Sequence, residues 1–173
     1  MSFDTRVSPA ESPHDPRGKS LYVPAGTGET KWVSGDIYTV KATAATTNGA
    51  FSFIEASVPP GGGPAAHVHN REDEAFYLVS GELDMLDGDE TFTAKSGDFI
   101  WVPRGSLHRF KNLGLHTAKL LIMFMPGGFE ACFSKGGDDP TPGMAPPPWD
   151  GARFERFQET MDQLDLGTQF HPE

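Results

Sequence analysis

Gly61-Gly-Gly-Pro-Ala-Ala-His67-Val-His69-Asn-Arg-Glu-Asp-Glu74-Ala-Phe-Tyr-Leu-Val-Ser-Gly81 is the stretch whose reading decides the fold. Residues two apart on a strand project to the same face, so His67 and His69 present neighbouring imidazoles to one side. Glu74 has the wrong parity for one straight strand from His67. The polar run Asn70-Arg-Glu-Asp73 therefore reads as a turn, with a new strand from Glu74 that sets Phe76 and Leu78 on the glutamate's face and Tyr77 and Val79 on the other. After fifteen more residues comes Gly97-Asp-Phe-Ile-Trp-Val-Pro103-Arg-Gly105-Ser-Leu-His108-Arg-Phe-Lys-Asn112, in which Pro103-Arg-Gly105 supplies turn chemistry before a strand carrying His108.

Three imidazoles and a carboxylate form a borderline N/O ligand set. Such a set suits Zn, Fe, Ni, Cu, Mn or Co far better than Ca or Mg. His116, in a Gly-Leu-His turn, and His14 and His171, in polar ends, read as ordinary surface histidines.

The two blocks resemble the paired motifs of the cupin superfamily: Gly, five residues, His-x-His, three or four residues, Glu, six residues, Gly; then Gly, five residues, Pro-x-Gly, two residues, His, three residues, Asn. All ten specified positions are met, by Gly61, His67, His69, Glu74, Gly81, Gly97, Pro103, Gly105, His108 and Asn112. The resemblance implies an all-β fold, a cupin-type jelly-roll β-barrel, with His67, His69, Glu74 and His108 holding one divalent transition metal.

Strand candidates at Thr30–Val33, Asp36–Ala44, Ala50–Val58, Ala65–His69, Glu74–Ser80, Glu82–Leu86, Thr91–Ala94, Phe99–Val102, His108–Asn112 and Ala118–Met125 recur about every ten residues, the spacing of a sandwich or barrel. Asp87-Gly-Asp89 reads as a hairpin turn. The expected organisation is an N-terminal arm over 1–30, a barrel over 31–127 and a helical, Pro-rich extension over 128–173. Leu120–Met125 is apolar on both faces, so one face needs an outer cover. Two short C-terminal helices are candidates, one beginning in Gly128–Phe133, the other over Ala152–Leu164. The second carries Phe154, Phe157, Met161 and Leu164 at helical spacing, with Asp150 as N-cap and Gly167 as stop. Between them the run from Gly136 to Pro148 reads as a loop, with a lid over the barrel mouth as the alternative.

Fourteen basic against twenty-four acidic residues give a net charge of −10, which argues against nucleic acid or an anionic membrane surface as partner. Cys132 is the single cysteine and cannot form an internal disulfide. The first twenty residues lack a signal peptide's apolar core, and a cytoplasmic setting is expected. The longest apolar run has six residues, against the ~20 that span a bilayer. The doubly apolar strand leads us to expect a homodimer.

Aromatic residues crowd the motif strands, and Phe53, Phe76, Trp101 and Phe110 are the expected substrate-binding walls. A mostly apolar cavity around a metal favours a small, flat, oxygenated organic ligand. Met125-Pro-Gly-Gly-Phe-Glu130 leading into a helix resembles the quercetinase-like cupins of bacteria. That resemblance implies a dioxygenase acting on an aromatic or enol-type substrate, with Glu74 as ligand and as acceptor of the substrate's hydroxyl proton. The alternatives are a non-oxidative metal-dependent cupin (cyclase, isomerase, lyase or decarboxylase) and a non-catalytic ligand-binding cupin.

Overall fold

A computed structural model describes residues 20–171 of the chain. Strict alternation decides the inward faces: Asp36, Tyr38, Val40 and Ala42 on one strand and Ser52, Ile54, Ala56 and Val58 on another are buried, with half-buried residues between them. The strands are β1 (Glu29–Val33), β2 (Asp36–Ala42), β3 (Ser52–Val58), β4 (Ala66–His69), β5 (Asp73–Ser80), β6 (Glu82–Asp87), β7 (Glu90–Lys95), β8 (Phe99–Val102), β9 (Leu107–Lys111), β10 (Ala118–Met125) and β11 (Thr168–His171), with helices α1 (Glu130–Gly136) and α2 (Gly151–Gln163) before the last. They form two antiparallel sheets, β1-β2-β3-β10-β5-β8 and β11-β4-β9-β6-β7. The fold is a jelly roll whose inner faces meet in one core.

Register builds that core in layers. Ile54 of β3 faces Ile122 of β10, which faces Phe76 of β5, so three large side chains lie in one row. All three are at most 2% exposed. Burying side chains of this size stabilises by about 1.5–3 kcal/mol each. Close approach explains two glycines of this stretch, Gly63 and the motif position Gly81. A Cβ on Gly63 would meet the Phe110 carbonyl oxygen at 2.2 Å, and one on Gly81 would meet Ala118 Cα at 2.9 Å; both glycines have positive φ. The outer motif positions tie the two blocks together, because Gly61 N–H donates to the Asn112 carbonyl while Asn112 N–H donates to that of Gly62.

The turn after His69 carries the chain across to the opposite sheet, where β5 pairs with β10 and β8. One expectation needs correction: the terminal residues, expected to belong to the helical extension, instead supply β11, which pairs with β4. Gly167, read as a helix stop, has φ 69° and stands just before that strand, while α2 already ends at Gln163. Asp150 caps α2 as expected, accepting from Arg153 N–H at 3.0 Å. Phe157 and Met161 are buried, whereas Phe154 is turned outward.

The helices do not cover β10's outer face. α1 packs on β1, β3 and α2 instead. Leu121 and Met123 stay half-buried, beside exposed Tyr77, Phe99 and Trp101 of β5 and β8. Most of the arm expected over 1–30 lies outside the described residues.

Candidate metal centre

His67 and His69 come from β4, His108 from β9 and Glu74 from β5, so three imidazoles of one sheet meet a carboxylate of the other. His67 stands directly across from His108 in the β4–β9 pairing. One ligand atom from each of the four residues lies within 4.8 Å of the others. All four are buried. Their closest contacts are His108 Nε2 to Glu74 Oε2 at 2.8 Å and His69 Nε2 to the same oxygen at 3.4 Å.

The outer ring nitrogens are occupied by the scaffold. His67 Nδ1–H donates to the Ala65 carbonyl at 2.8 Å and His108 Nδ1–H to that of Ser106 at 3.0 Å, which leaves each Nε2 lone pair aimed inward. His69 Nδ1 lies 3.4 Å from Thr168 Oγ1. Its Nε2 is buried and has no hydrogen-bond partner among the described residues. A buried, unsatisfied imidazole nitrogen beside a carboxylate and two further imidazoles fits a metal ligand set of borderline N/O character.

Electrostatics agree with that fit. Burial, then the neighbouring His108 and His69, lower the His67 pKa to about 3, so its imidazole is neutral at pH 7. Burial raises the Glu74 carboxyl, but the His108 hydrogen bond and the charge of His108 and His69 outweigh it and bring the group to about 2. Burial likewise opposes protonation of His108, and its bond to Glu74 overrides this and raises it.

Arg104 locks the frame. Its backbone N–H donates to Asp73 Oδ1 at 2.9 Å, and its guanidinium grips both carboxylate oxygens at 3.0 Å, so the β8–β9 turn is clamped to the start of β5. Gly105 N–H donates to the His69 carbonyl at 2.8 Å. Glu72, read with Asp73 as part of a turn, is in fact buried, with Oε2 lacking a partner among the described residues. Burial raises its pKa.

A cavity of about 60 Å³ adjoins the ligands and is lined by Tyr38, Phe110, Phe124, Phe129, Phe133 and Phe170 among others. Of the four expected wall residues, Phe110 lines it, and Phe76 is buried one layer away, 6.3 Å from the His108 ring. Trp101 and Phe53 do not reach it. Trp101 alternates with inward Val102 and is 48% exposed on the outside, and Phe53 lies between inward Ser52 and Ile54, facing outward opposite Met123. The residues missed from sequence are Tyr38, Phe129, Phe133 and Phe170. Tyr38 was legible in β2's alternation, whereas the others reach the cavity from elements whose docking no local pattern specifies. The loop from Gly136 to Pro148 contributes nothing to this cavity. His116 and His171 are exposed, and His14 lies outside the described residues.

A two-sheet barrel with an interior three-histidine, one-carboxylate cluster defines the class as a jelly roll with a candidate metal site. Residues 54–124 match the family model described as Cupin domain. It is 28% identical over 158 residues to quercetin 2,3-dioxygenase of Bacillus subtilis, covering 91% of this chain and 47% of that one. It is 32% identical over 94 residues to polyketide synthase CurC of Streptomyces cyaneus, covering 53% of this chain and 60% of that protein. The polyketide cyclase RemF of Streptomyces resistomycificus superposes with a TM-score of 0.56 at 19% identity, over 62% of this chain and 80% of that one. The chain thus spans about half of the Bacillus enzyme and less than two thirds of CurC. Among the described residues, no helix is long and apolar enough to cross a membrane.

Proposed function

We propose that the protein is a mononuclear metal-dependent dioxygenase of the quercetinase-like kind, acting on a small, flat aromatic or enol-type substrate. The observation that carries this reading is the buried cluster of His67, His69, Glu74 and His108 beside a mostly apolar cavity rich in aromatic side chains. The similarity to the Bacillus dioxygenase, which runs along nearly the whole of this chain, supports the oxidative branch.

The four side chains would hold one of Fe, Ni, Mn, Cu, Co or Zn. A divalent cation there supplies Lewis acidity, which makes an enol or phenol hydroxyl beside it a stronger acid. The rest falls to the chain's own groups. Phe110, Phe124 and Phe129 exclude water and stack against a planar ring. Glu74, held ionised far below pH 7, is always in the accepting form. Although weak as a base, it can take the proton of a hydroxyl acidified in this way.

Within this proposal the protein works as a cytoplasmic homodimer, paired through the uncovered outer face of β5, β8 and β10. The similarity to the polyketide synthase CurC favours a second reading, a non-oxidative, metal-dependent reaction at the same site. Elemental analysis of protein purified without added metal, followed by oxygen-electrode assays against flavonols and related enols, tests the choice. Oxygen uptake with a bound transition metal supports the dioxygenase. Turnover of a carbonyl substrate under strictly anaerobic conditions would overturn it in favour of the second reading.

A further inference from the structure

The cavity beside the metal ligands has a volume of about 60 Å³. That is room for a few water-sized molecules, well short of the ~300 Å³ at the lower end of small-molecule sites. On the protein surface a second depression of about 330 Å³ lies between α2 and β11, lined by Ala65, Phe154, Glu155, Phe157, Gln158 and Phe170. Phe157 and Phe170 line both spaces. These two rings are the partition between solvent and the metal cluster.

The two rings are held differently. Phe157 is 7% exposed and packs in the core cluster, with Trp149 5.2 Å away. Phe170 is 37% exposed and sits on the edge strand β11, whose only sheet partner is β4. Its ring centroid is 5.6 Å from that of His67. Ala65, at the rim of the outer depression, carries the carbonyl that accepts from His67 Nδ1. The outer depression therefore abuts the His67 side of the cluster, with the Phe170 ring between them.

We infer that the crevice between α2 and β11 is the substrate-binding approach to the metal centre, and that Phe170 is its specificity-determining gate. A planar aromatic molecule seats its body against Phe154 and Phe157. Its reactive edge enters the inner cavity when the Phe170 side chain turns aside. Glu155 and Gln158 offer an acceptor and an amide to hydroxyls on the part left outside. Neither cavity alone accommodates both the body and the reactive edge of such a molecule next to the ligands; joined through Phe170, the two do. This inference rests on the proposed planar substrate, yet it is tested without turnover.

The test follows extraction of Zn²⁺ from the zinc-loaded full-length protein by dipicolinate, a flat aromatic chelator, and by the bulkier EDTA, as concentration-dependent rates. Phe170→Ala should speed extraction by dipicolinate about tenfold or more, and that by EDTA much less. Phe170→Trp, which keeps an aromatic on the strand, should slow dipicolinate several-fold. Phe92→Ala, on β7 at the other edge of the sheet that holds β11, should leave both rates unchanged. Equal acceleration of both chelators by Phe170→Ala would mean that β11 has merely come loose, and rates within twofold of wild type in both Phe170 variants would mean that the metal is reached elsewhere; either result overturns the gate. If the gate passes while no flavonol is turned over, the catalytic proposal alone has failed.

Discussion

Thr168 stands directly across from His69 in the β4–β11 pairing, with its hydroxyl 3.4 Å from Nδ1 of a ring whose other nitrogen faces Glu74. The C-terminal strand thereby supplies the outer partner that His67 and His108 obtain from backbone carbonyls. Groups that orient ligand imidazoles typically change metal affinity by about 10–100-fold when removed. Thr168→Val keeps shape and strand propensity while deleting the hydroxyl. It should weaken zinc binding about tenfold in competition titrations, and an unaltered affinity would show that β4 alone orients His69.

Glu74→Gln should retain reduced metal and lose turnover, because the amide still offers an oxygen but accepts no proton from a hydroxyl. His67→Ala should lose metal outright. Metal content measured beside oxygen consumption separates the two effects. Oxygen consumption undiminished in Glu74→Gln would sink the proton-acceptor role.

Glu130 is buried and gathers three donors, Ala44 N–H at 2.7 Å, Gly128 N–H at 2.8 Å and the Ser52 hydroxyl. It pins the start of α1 to β3 and the loop after β2. Glu130→Ala strands these donors and should cost roughly 3 kcal/mol, lowering the thermal midpoint by about 6–12 °C. A calorimetric scan checks this, and Glu130→Gln should recover part of the loss.

Asp36 is fully buried, accepts from the Tyr38 hydroxyl at 3.2 Å and from Gly63 N–H at 3.1 Å, and has Oδ1 without a partner among the described residues. Burial raises its pKa from 3.8 to about 7. The folded state therefore holds this proton more tightly than the unfolded chain does. The associated stability is present below about pH 4, declines as pH rises towards about 7 and is lost above it. The upper bound is on the order of 4 kcal/mol. Asp36→Asn should flatten this part of the stability profile and stabilise the protein at pH 8, as denaturant titrations at pH 5 and pH 8 will show.

On the outside of the larger sheet, Trp101 pairs across Ala75 with Met123, and Phe99 across Tyr77 with Leu121, which makes a continuous apolar surface over three strands. Light scattering at micromolar concentration should give a dimer, and Trp101→Glu should shift it towards monomer. A monomeric wild-type mass would refute pairing through this face.

Strands β8 and β10 fall on their expected bounds, and the other barrel strands lie within one or two residues of theirs, because each is a short run of alternating or wholly apolar residues between clear turn residues. The four candidate ligands were legible for a similar reason, since His-x-His on one strand and the turn before Glu74 are local patterns. Less was legible of the cavity wall. The choice of Trp101 and Phe53 counted aromatic residues without following strand parity, and parity turns both outward.

Local sequence determined where this chain extends, where it turns and which side chains on each strand share a face, since backbone sterics and two-residue periodicity act over a few neighbours. Tertiary structure alone decided that β5 crosses to the other sheet and so brings Glu74 to the three histidines. It alone decided that residues 168–171 return to lie beside β4, placing Thr168 and Phe170 at the candidate ligand cluster. These contacts join segments up to about a hundred residues apart, and only burial of the whole core, not any local preference, selects them.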